Sequence, residues 1–232
     1  MTAMQQPAAP RTGISDGRPR LWRMVAAVEV ALAVVAVLLD LFVPTLVLLG
    51  LAAVSLAARR QGLGTLGLRR VARPGRMCLQ VVAMALAWTV LTFLLIKPVL
   101  EHVLGEREDM SQYARLQGDV AALLGLLAVS WILAAFGEEL AYRGFLLTRL
   151  RELLPAGTVG TVLAAVVSAA LFGWAHNEYG WVGVLQVMLD ALFFTVLRFR
   201  YRSLWAAVVA HGVVNTVGIV AVFLVGPVAA LW

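Results

Sequence analysis

Val120-Ala-Ala-Leu-Leu-Gly-Leu-Leu-Ala-Val-Ser-Trp-Ile-Leu-Ala-Ala-Phe136 runs directly into Gly137-Glu138-Glu139-Leu140-Ala141-Tyr142-Arg143-Gly144. The first segment carries no charge and reads as the start of a membrane-spanning helix. The second places two adjacent carboxylates and an arginine at the end of that span or inside it. Charge there is expensive and is seldom kept without a partner or a task. Two later histidines, His176 and His211, each interrupt another apolar segment. The three places read as parts of one site.

Composition supports a membrane setting. The chain has 232 residues, 62% hydrophobic and 14% charged, with a mean hydropathy of +0.89. Soluble domains are nearer half apolar and a quarter charged. The expected fold is therefore all-α, a polytopic membrane bundle of about seven transmembrane helices at roughly 20 residues per span. The net charge of +6 is not read as a nucleic-acid signal, because the arginines cluster in short connections between apolar runs, where they orient a protein in the bilayer. Cys78 is the sole cysteine, which excludes an intrachain disulfide and a cysteine metal cluster. Lys97 is the sole lysine among 19 basic residues. That bias fits a GC-rich genome and a bacterial plasma membrane.

Residues 1–20 read as a disordered cytoplasmic tail and 21–118 as N-terminal transmembrane helices and loops. Within the latter, Met24 to Ala58 holds two spans that turn near Asp40–Pro44. Arg59 to Arg76 holds six arginines and reads as a cytoplasmic loop. Met77 to Ile96 is a third span, and Lys97 to Asp119 an acidic connection. Residues 119–225 carry the polar motifs. The span opened by Val120 continues to about Leu153 and turns at Pro155–Gly157. Thr158–Ala175, Val184–Leu197 and Leu204–Val225 supply spans five to seven. A short tail, 226–232, closes the chain. The basic connections fall on one side when the spans alternate, which puts the N-terminus in the cytoplasm.

On a helix, Glu139 and Arg143 are neighbours in the favoured acid-before-base order. Glu138 points about 100° away from Glu139 and lacks a local partner. A buried carboxylate of that kind suits a general base. A pair snorkelling at a helix end is the plainer alternative. His176 follows Phe172 by four residues, and Asn215 follows His211 by four. Two polar side chains stacked on one face of an apolar helix imply a polar partner in the bundle, or simply an interhelical hydrogen bond. Gln186 and Asp190 make a similar stripe and read as structural. Helix lengths bring Glu138 and His176 to similar heights and leave His211 lower, so tilt or a loop offset has to close that gap.

Glu138-Glu139-x-x-x-Arg143, Phe172-x-x-x-His176 and His211-x-x-x-Asn215 resemble, in order and spacing, the three motifs of the CAAX-processing and bacteriocin-processing (CPBP) intramembrane proteases. The resemblance covers about residues 119–220. It implies an intramembrane endopeptidase with a cavity open toward the cytoplasmic leaflet, acting on a membrane-associated protein or peptide. It implies that Glu138 and His176 activate water, that His211 and Asn215 stabilise the oxyanion, and that Glu139 and Arg143 hold the constellation. Family members are commonly described as metalloproteases. Glu138, His176 and His211 are by type a zinc-compatible set, able to hold zinc or another divalent metal if one is used. A metal-free glutamate mechanism would use the same residues, and no His-Glu-x-x-His motif is present. The expected partners are the substrate and the bilayer, with no nucleic acid. Two other functions fit the apolar chain: a non-proteolytic bacteriocin self-immunity or scaffolding protein of the same fold, and a small transporter with a proton relay through Glu138, Asp190 and the histidines.

Overall fold

The computed structural model describes residues 18–41 and 43–226. Most of both expected tails lies outside these residues. Positions 18–20 open the first helix rather than close a tail. Seven long helices and no strand occur among the described residues: α1 (Arg18–Leu38), α2 (Pro44–Arg59), α3 (Pro74–Leu104), α4 (Val120–Leu153), α5 (Thr158–Trp174), α6 (Gly180–Tyr201) and α7 (Leu204–Val225). This is the all-α bundle expected from composition. Five of the helices are long and apolar enough to cross a membrane. At 16 and 17 residues, α2 and α5 are shorter, roughly 24–26 Å against a hydrocarbon core of about 30 Å.

Local chemistry sets the boundaries. Pro44 and Pro74 open α2 and α3, where a missing N–H costs nothing. Asp119 caps α4 by accepting from the Ala122 N–H at 2.9 Å, as first-turn donors require. Gly157, at φ +100°, makes the tight return into α5 in a conformation that glycine tolerates. Two helices widen along their length. The Lys97 N–H bonds Thr92 O five residues back, just ahead of Pro98, whose ring and missing N–H disturb an ordinary turn. Ser130–Leu146 of α4 is wound the same way, and the Leu147 N–H reaches Tyr142 O. Wide turns of this kind are frequent at functional positions.

Two expectations change. The third helix does not stop at Ile96. It runs on to Leu104, so the first part of the acidic connection is helical and Lys97 is buried. The arginine-rich connection is not only a surface loop. Leu66 is fully buried and packs with Ala52, Leu56 and Phe145.

Helix α4 is the centre of the bundle, touching α1, α2, α5 and α7, while α7 also packs on α3 and α6. One apolar cluster joins α1, α2, α4, α5 and α6 around Tyr142 and Phe172. A second joins α3, α6 and α7 around Phe194 and Ala210. The space between them holds the polar residues.

Candidate active site

Glu139 is wholly buried, and Arg143 and His211 are nearly so. The Arg143 guanidinium meets Glu139 Oε1 at 3.2 Å, one helical step along α4. From α7, His211 Nδ1 lies 2.9 Å from the same oxygen. A carboxylate only accepts, so Nδ1 carries the hydrogen and Nε2 faces away from Glu139. It turns toward Glu138 Oε2, 3.8 Å off. Glu138 Oε2 is buried without a hydrogen-bond partner. His211 therefore bridges the two glutamates, with its firm bond to Glu139 rather than to Glu138.

Aromatic rings fix these groups in place. Phe194 of α6 stacks on the His211 ring at 4.9 Å and 16°, and Phe172 of α5 meets it edge-on at 6.0 Å. The Arg143 guanidinium lies 4.0 Å above the Phe172 ring. Cation–π contact replaces part of the hydration that the buried arginine gives up.

His176 follows α5. Its Nδ1 sits 2.8 Å from Phe172 O, and a carbonyl only accepts, so Nδ1 donates and Nε2 keeps its lone pair. The ring packs on Phe172 at 4.7 Å and Tyr179 at 6.0 Å. Burial there pushes the imidazole down to about 4, leaving it neutral. Asn215 extends the α7 face, and its Nδ2 donates to Ser130 Oγ at 3.2 Å. Three of the six motif residues, Glu139, Arg143 and His211, thus meet in direct polar contact, with Glu138 3.8 Å from His211 Nε2. His176 joins them through the Phe172 ring, and Asn215 through its place on α7. Both imidazoles are anchored at Nδ1, the usual support for a metal ligand. The placement does not fit one: among the described residues no three His, Cys, Asp or Glu side chains converge to hold a metal.

Sequence reasoning missed Phe194, Ser130 and a further ionic network. Ser130 was legible as a lone polar residue in an apolar run. Phe194 carried no signal, being one apolar residue among many. The network lies at the other end of α4. There Arg149 meets Glu29 at 2.9 Å and also pairs with Glu152, while Arg59 meets Glu152 at 2.9 Å and Glu29 at 3.2 Å.

Residues 120–217 match the family described as Rce1-like: Type II CAAX prenyl endopeptidase Rce1-like. No curated protein and no solved structure matches the chain. The matched segment spans α4 to most of α7 and contains all six motif residues. The family is one of proteases, and the apolar helices make the chain an integral membrane protein. Residues 120–217 are thus similar to the type II CAAX prenyl endopeptidases, and the helices before Val120 lie outside that match.

Proposed function

We propose that the chain hydrolyses a peptide bond in a membrane-associated protein or peptide, with Glu138 as the base that activates water. One observation carries this reading. Glu138 is partly buried and has no hydrogen bond to its buried Oε2, and that oxygen lies 3.8 Å from an imidazole nitrogen that Glu139 has oriented. Glu139 and Arg143 are positioning residues: they pair through Glu139 Oε1, and the same oxygen holds His211.

In the proposed reaction, Glu138 takes a proton from water as its oxygen adds to the scissile carbonyl. The developing oxyanion needs donors already in place. With a proton on Nε2, His211 supplies one. Glu138, Glu139, Arg143 and His211 then sum to zero charge, the least costly state in an apolar medium. Asn215 lies one turn along α7 and supplies a second donor if it releases Ser130. The neutral His176 shares the water proton. Collapse expels the amine, which takes the proton held by Glu138. One water proton thus reaches the amine through Glu138, and the other leaves the new carboxylic acid for the amine, so the products are one carboxylate and one ammonium terminus. No step passes through a metal.

The arginine-rich connections favour a cytoplasmic N-terminus in a bacterial plasma membrane. The direct test offers the purified, membrane-reconstituted protein an anchored peptide in heavy-oxygen water. Hydrolysis places one heavy oxygen in the new C-terminal carboxyl group. If no anchored peptide is cut, and Glu138→Gln still complements a deletion strain, the chain is instead a non-proteolytic immunity or scaffolding protein.

A further inference from the structure

Helices α3 and α6 run antiparallel. Their register is fixed by two side-chain contacts: the Tyr201 hydroxyl donates to Gln80 Oε1 at 3.1 Å, and Trp88 Nε1 donates to Asp190 Oδ1 at 2.6 Å. One turn beyond Trp88 is Thr92, and one turn before Asp190 is Gln186. This register puts Thr92 and Gln186 at the same level. Both are more than nine-tenths buried. Gln186 Nε2 donates to Asp190 Oδ1 at 3.2 Å, which sends Gln186 Oε1 the other way. Gln186 Oε1 and Thr92 Oγ1 are both buried without a protein hydrogen-bond partner.

An interhelical tie alone would need only Trp88 and Asp190. Thr92 is also unlike other helical threonines of this bundle. Thr89, Thr148, Thr161, Thr195 and Thr216 each give their hydroxyl to the carbonyl four residues back. Thr92 does not, and it stands where the α3 backbone widens. A buried hydroxyl and a buried amide oxygen at one level, with the Asp190 carboxylate one turn away, offer the two to four polar partners that an internal water needs.

The same α6 face links this space to the site. Gly183, Gln186, Asp190 and Phe194 recur at three- and four-residue steps and form one stripe, roughly 16 Å long. At one end, Glu108 packs near Gly183 and pairs with Lys97 at 2.7 Å. At the other, Phe194 stacks on His211. We propose that Thr92, Gln186 and Asp190 form a hydrated pocket between α3 and α6, fed from the side of the acidic connection, that delivers the water consumed at Glu138. The delivery role rests on the hydrolytic reading above. The pocket itself does not.

The test separates the two. In a Cys78→Ala background, single cysteines at Thr92 and at the outward-facing Leu94 are exposed to a small water-soluble methanethiosulfonate. Only a wetted thiol ionises readily, so Thr92→Cys reacts at least about tenfold faster. Equal rates for the two overturn the pocket, whatever the chain's activity. Cleavage tests delivery. Thr92→Val and Gln186→Leu lower kcat with KM unchanged, and Thr92→Ser restores it. A reactive Thr92→Cys combined with full turnover in Thr92→Val overturns the delivery role.

Discussion

Glu139 shows how one buried side chain can be decided by two helices. Its Oε1 takes both the Arg143 guanidinium and His211 Nδ1, so removing Arg143 leaves its charge uncompensated in an apolar medium. Arg143→Ala is expected to cost about 3–5 kcal/mol of stability, read as a lower thermal midpoint in detergent. Arg143→Lys recovers only part of it, because an ammonium loses the flat stack on Phe172. Full recovery by lysine would contradict the stacking account. The Glu139–Arg143 pair was legible from four-residue spacing alone. That His211 binds Glu139 rather than Glu138 was not, because the choice depends on how α7 is rotated against α4.

Between elements, small residues set the distances. A Cβ placed on Gly173 would come within 2.5 Å of the Val184 carbonyl oxygen, a backbone atom of α6. Gly173→Ala therefore forces α5 and α6 apart. The expected cost is about 1–3 kcal/mol, with a fall in cleavage because Phe172 and His176 flank the displaced turn. Unchanged stability and turnover would show that α5 adjusts freely. At the far end of α4, Glu29 holds Arg59 and Arg149 together. Glu29→Gln leaves both arginines to share Glu152, and a drop of about 3 kcal/mol or more is expected in a denaturation series. Helix identities and most boundaries followed from apolar run length and the Pro, Asp and Gly signals. The widened turns of α3 and α4 did not, since a change from four- to five-residue bonding leaves no mark on composition. That widening also alters the height arithmetic, which assumed regular turns along the whole of α4.

For the whole molecule, apolar content was enough to predict an all-helical membrane bundle. Convergence of distant segments was only permitted by helix lengths. The fold supplies it by packing α4 against α7 and setting α5 and α6 across from them. The proposed orientation rests on the arginine-rich connections: a reporter fused at the N-terminus is expected to be active in the cytoplasm, and one fused after Val225 outside. The reverse pattern would invert the side from which water and substrate approach. The 105–119 connection was legible as acidic. Its Glu106, which accepts from the Trp181 N–H at 2.7 Å and so caps α6, was not, because that partner lies 75 residues away.

Glu138 is the residue on which the proposed hydrolysis depends. The decisive measurement is the turnover of an anchored peptide by Glu138→Gln, which keeps the shape of the side chain and removes its basicity. A fall in kcat of about a hundredfold or more with KM unchanged is predicted for loss of a general base. Turnover within about twofold of the parent protein, well short of the range expected for a general base, would contradict it.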